Sequence, residues 1–116
     1  MSHFREYTSY TPPIDFWTTV RTNNGNPDNS ADIRVSVYDS DDNSEILNEP
    51  MPVIGNTGYY KYAWRPTFTQ DKILFATVYI AGSGQRRTVI DTIYLCINQN
   101  KFLLEEKVDE NDGIAI

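Results

Sequence analysis

The sequence predicts an all-β fold, an antiparallel β-sandwich of about six to seven strands with immunoglobulin-like or Greek-key connections. Three observations carry this prediction. Runs rich in β-branched and aromatic residues alternate with period two, clusters of Gly, Pro, Asn and Asp separate them, and no long helical periodicity appears before residue 100. The chain has 116 residues, 40% of them hydrophobic, which suffices for one core without staples and leaves no room for a second. Its single cysteine, Cys96, allows no internal disulfide.

Residues 1–14 read as an extended N-terminal arm, because Pro12-Pro13 disfavours a helix there. The first strand covers 15–21, and the turn-rich loop 23–30 then reverses or crosses the chain. In 33–38, Ile33, Val35 and Val37 share one face and Arg34, Ser36 and Tyr38 the other, so one face is expected buried and the other wet. Residues 46–54 read as a broken edge segment, since neither Pro50 nor Pro52 can donate to a ladder. Asn56-Thr-Gly58 turns the chain into 59–64, where Tyr60, Tyr62 and Trp64 share a face expected to fill the core.

Residues 73–80 are nearly continuously apolar, as in a central strand, and Gly82-Ser-Gly84 joins them to a final strand over 86–97. That strand is long enough to predict a bend, a bulge or an overhang. Asp91 falls on the parity of Val89, Ile93 and Leu95, so it is either a buried, hydrogen-bonded carboxylate or the mark of a register shift. The sandwich is thus expected to span 15–98. An acidic tail over 99–116 follows, with up to two helical turns at 101–107 and an apolar end at 114–116.

A net charge of −6 opposes nonspecific binding to nucleic acid or anionic lipid. The charge is unevenly spread: residues 39–58 carry five acids and no base, whereas 59–98 carry five bases and two acids. No secretory signal and no 18-residue apolar run is visible, so the chain is expected to stay where it is made.

Chemistry-bearing constellations are sparse. His3, the only histidine, lies on the terminus, which leaves any Ser or Cys nucleophile without a base; Cys96 reads as a small buried hydrophobe. One Cys and one His cannot hold zinc. The loop 39–45 spaces Asp39, Asp41, Asn43 and Glu45 like a calcium loop, but Ser44 stands where the EF-hand needs Gly and Pro50 where it needs Glu. Asp71 and Asp91 read as structural acids rather than a glycosidase pair, and Gly82-Ser-Gly84 lacks the lysine and helix of a phosphate loop. No catalytic, cofactor-binding or metal-ligating residue is assigned, and the chain reads as non-enzymatic. Tyr38, Tyr59, Tyr79 and Tyr94 are the candidates for a protein-contacting surface.

Val37-Tyr-Asp-Ser-Asp41, followed by Asn56-Thr-Gly-Tyr-Tyr-Lys-Tyr-Ala-Trp64, resembles small immunoglobulin-like or transthyretin-like β-sandwich modules of phage virion and tail-associated proteins. The resemblance covers about residues 33–81. It implies a structural role in a virion, as a capsid decoration, head-fibre-base or tail-accessory subunit made in the host cytoplasm. The implied partners are capsid or tail subunits and copies of the chain itself. The arm and tail lie outside the bare module and suit contacts between subunits. A carbohydrate-binding or adhesion module using Trp17, Trp64 and the tyrosines as stacking surfaces is the alternative.

Overall fold

The computed structural model describes residues 2–99, and among these there are seven strands and no helix. They are β1 (Ser2–Thr8), β2 (Ile14–Thr19), β3 (Ile33–Asp39), β4 (Ser44–Pro50), β5 (Tyr59–Trp64), β6 (Lys72–Ala81) and β7 (Arg87–Asn98). The expectations for 101–107 and 114–116 fall outside the described residues.

One sheet runs β1-β7-β6-β3-β4 and the other is the pair β2-β5. The order places β3, β6 and β7 where an immunoglobulin-type sandwich has strands C, F and G, with β4 beyond C and β2 and β5 as B and E. All pairings are antiparallel except β1 with β7, which is parallel, so the larger sheet is mixed rather than antiparallel throughout.

Period two sorts the side chains. Ile33, Val35 and Val37 of β3, Leu74, Ala76 and Val78 of β6, and Ile93, Leu95 and Ile97 of β7 all lie buried between the sheets. Ile14, Phe16 and Tyr60 close the core from the smaller sheet, with Tyr62, Trp64 and Phe68 packed against it. Burying such aliphatic side chains contributes roughly 1.5–3 kcal/mol each. Tyr60 brings a hydroxyl into this apolar space and satisfies it, donating to the Asp28 carbonyl at 2.8 Å and accepting from Ala31 N–H at 3.2 Å. Tyr10 donates likewise to the Pro66 carbonyl, and burial pushes its phenol pKa up.

The long hairpin carries the expected irregularity. Val78 pairs with Asp91 but Tyr79 pairs with Val89, so Ile90 is an extra residue in β7. Asp91 marks the register shift and is hydrogen-bonded, but it is half-buried rather than buried. The bulge reverses the parity of Val89, which is 52% exposed, and the Asp91 carboxylate accepts from Thr92 N–H at 3.0 Å.

The N-terminal arm requires correction. Residues 2–8 are β1, in register with Thr92 to Asn98 of the chain's own β7. The last strand would otherwise leave a row of unpaired backbone groups at a sheet edge, and β1 satisfies them. Its inward residues are polar or amphipathic, which hides the strand from a hydrophobic reading. Arg5 lies over the rings of Phe16 and Trp17 and donates to the Asp15 carbonyl, and Tyr7 meets Tyr10 edge-on.

Candidate binding face

The outer face of the five-stranded sheet carries the exposed aromatics Phe4 and Tyr94, whereas exposed Trp17 lies on β2 of the smaller sheet. Register sets Phe4 beside Tyr94, Tyr94 beside Phe75, and Phe75 beside Tyr38, making one row across β1, β7, β6 and β3. Phe4 is 69% exposed and Tyr94 48%, while Phe75 and Tyr38 are half-buried. Phe75 and Tyr94 lie 5.0 Å apart at 54°, and Tyr38 and Phe75 lie 6.5 Å apart at 40°. Ile73, 57% exposed, extends the patch along β6. Single exposed apolar residues are ordinary, but a contiguous row on the solvent side of a sheet is not.

Beyond the row the same face is polar and interlocked. Arg87 lies 4.6 Å over the Tyr79 ring and donates to the Tyr38 hydroxyl at 3.0 Å and the Glu45 carboxylate at 3.2 Å. Ser36 donates to Glu45, Tyr79 donates to Asn48 at 3.1 Å, and Arg34 donates to Asn48 at 3.2 Å. The Ser36 hydroxyl, helped by Arg87, holds the Glu45 carboxyl below the usual range. At the far end, Arg34, Tyr79, Arg86, Arg87 and the Gly82 to Gly84 turn enclose an open hollow of about 480 Å³.

This network corrects two expectations. Ser36 is fully buried although its face was expected to be wet, because the long side chains of neighbouring strands close over it. Tyr79 is 3% exposed and therefore no surface tyrosine; Arg87 covers it. Tyr94 is exposed as a contact surface requires, whereas Tyr38 and Tyr59 are half-buried. Cys96 points to this outer side rather than into the core, half-buried, with Glu6 and Ile73 as its cross-strand neighbours.

His3 is not on a free terminus. It sits in β1 with Nε2 2.9 Å from an Asp91 oxygen, beside a smaller hollow lined also by Phe4, Arg5 and Trp17. The pair joins β1 to β7 beside its bulge. In the 39–45 loop the carboxylates are engaged within the chain: Lys72 takes both Asp39 at 2.9 Å and Asp41 at 3.2 Å, and Asp42 accepts from Ser44. The Asp41 backbone N–H and Lys72 lower the Asp39 pKa, and Ser44 lowers that of Asp42. Among the described residues, no group of three or more His, Cys, Asp or Glu is placed to hold a metal ion.

Sequence reading did not single out Phe4, Phe75, Ser36, Arg34, Arg86 or Arg87. A signal existed for the arginines, since the positive balance of 59–98 includes the Arg86-Arg87 pair beside the Gly82-Ser-Gly84 turn. No family model matches the chain, and no curated protein matches its sequence.

Proposed function

We propose that this protein is a non-enzymatic assembly subunit that docks onto another protein through the outer face of its larger sheet. The observation that carries this reading is the row Phe4, Tyr94, Phe75 and Tyr38. Three strand spacings make it about 14 Å long. Rings with polar rims, next to arginines and tyrosines, have the composition favoured at protein interfaces. Together with the resemblance of 33–81 to phage virion modules, this supports a role as a virion component: a capsid decoration, head-fibre-base or tail-accessory subunit made in the host cytoplasm. The sugar-binding alternative is less favoured, because neighbouring rings tilted at 40° and 54° form a ridged surface rather than a flat stacking platform.

The test is the double substitution Phe4→Ser with Tyr94→Ser. Both side chains are exposed, so the melting temperature is expected to hold, while the subunit disappears from purified particles assayed by mass spectrometry. Normal incorporation of a folded variant would overturn the reading. Binding to a glycan array that quenches tryptophan emission would favour the alternative.

A further inference from the structure

We propose that the arginine-lined hollow receives the acidic β3–β4 turn of a second copy of this chain, so that copies join head to tail. Three of the eight described basic residues, Arg34, Arg86 and Arg87, meet at the hollow, with Asp32 as its one carboxylate. In a chain of net charge −6, this end of the larger sheet gathers three arginines against two nearby carboxylates, Asp32 and Glu45. Arg87 is matched by Glu45 at 3.2 Å, and Arg34 stands 3.9 Å from a largely exposed Asp32. Arg86 has no acidic partner among the described residues. A guanidinium in that position presents its planar fork to an incoming carboxylate, for which a two-point contact is the favoured geometry.

The complementary surface is at the opposite end of the same sheet. There the β3–β4 turn and the start of β6 carry Asp39, Asp41, Asp42 and Asp71 against one cation, Lys72. Lys72 engages one oxygen each of Asp39 and Asp41, and Ser44 engages one oxygen of Asp42, so Asp41 and Asp42 each keep a second oxygen. Asp41 is 68% exposed. The turn is a tight protrusion, closed by Asn43 at φ 60° and by its N–H bond to the Asp39 carbonyl. The acidic tip and the arginine-lined hollow are complementary in charge.

Glu45, just past the turn, already reaches Arg87, but the tip at Asp41 and Asp42 and the Arg86 side lie at opposite ends and cannot meet within one molecule. The ten residues of β6 run from one to the other, and an extended strand of that length spans about 30 Å. A contact between different patches of identical chains is heterologous, and repeating it gives a ring or a filament. It uses neither Phe4 nor Tyr94, so it stands apart from the docking role of the aromatic row.

Sedimentation velocity of the full chain tests the contact. Self-association is expected at about 50 mM salt and is expected to weaken by about tenfold or more at about 500 mM, because the contact is ionic. Arg86→Glu and Asp41→Lys are each expected to keep the melting temperature and to lose association. A 1:1 mixture of the two, in which a reversed hollow meets a reversed turn, is expected to regain it. Phe4→Ser is expected to leave it unchanged. A protein that stays monomeric at low salt, or an Arg86→Glu variant that associates normally, would overturn the proposal. So would loss of association when Glu105, Glu106, Asp109, Glu110 and Asp112 are all changed to amides, since the acids after β7 would then be the occupant.

Discussion

Replacing Gly58 by alanine is expected to cost far more than the same change at Gly25, although both glycines have positive φ. Gly58 sits at +68° with its N–H donating to the Asn29 side chain at 2.7 Å and its carbonyl accepting from Val20 N–H at 2.8 Å. These bonds tie the loop after β2 to the start of β5. A Cβ at Gly58 would stand 2.6 Å from the Val20 carbonyl oxygen and 3.1 Å from Asp28 N and Pro27 Cα, all backbone atoms that no rotamer change can move. Gly25, at φ +86°, has nothing within 4 Å of an added Cβ. The left-handed conformation costs alanine roughly 1–2 kcal/mol at either site. The gain from a less flexible unfolded chain is common to both and cancels in the comparison. Overpacking at Gly58 adds roughly 1–3 kcal/mol that Gly25 is spared. Urea unfolding followed by tryptophan fluorescence should therefore rank Gly58→Ala about 2 kcal/mol below Gly25→Ala, with unchanged m values. A difference under about 0.5 kcal/mol would refute the reasoning, because it would mean the loop yields freely.

Two further outcomes follow from the polar contacts. Arg5→Lys keeps the charge but loses the planar group that lies 4.6 Å over the Trp17 ring and donates to the Asp15 carbonyl, so thermal unfolding should show a loss of about 1 kcal/mol, with a shift in tryptophan emission. The Glu45, Asp39 and Asp42 carboxyls are all held below their ordinary pKa. In the unfolded chain they bind protons more readily, so stability is expected to be fully present above about pH 5 and to fall as acid titrates the folded groups. Ser36→Ala removes the largest cause of the Glu45 shift, and melting curves from pH 7 to pH 2 should then show a shallower acid limb.

Much of the architecture was legible because it is local. The alternation in 33–38, the apolar run 73–80 and the Gly82-Ser-Gly84 turn each impose their geometry through neighbours two to four residues away. Asp91 marked the bulge because a carboxylate on an apolar parity is either paired or displaced, and here it is both. The exposed tyrosines were harder to place. Parity tells which side of a strand a residue faces, but not whether a longer side chain from another strand lies over it. Tyr79 is covered by Arg87 of the neighbouring β7, and Ser36 is closed off by the side chains around Glu45 of the neighbouring β4.

The sequence by itself determined the alternation of 33–38, the apolar run 73–80, their inward faces and the hairpin to the last strand, since burial of apolar area at period two follows directly from residue order. Only the tertiary structure decided that residues 2–8 join the sheet, because the partner of β1 is an edge formed about ninety residues later. The same holds for the aromatic row and the arginine hollow. Each is assembled from side chains on three or four strands, and strand order, which places them side by side, is set by the packing of the whole sandwich rather than by any one segment.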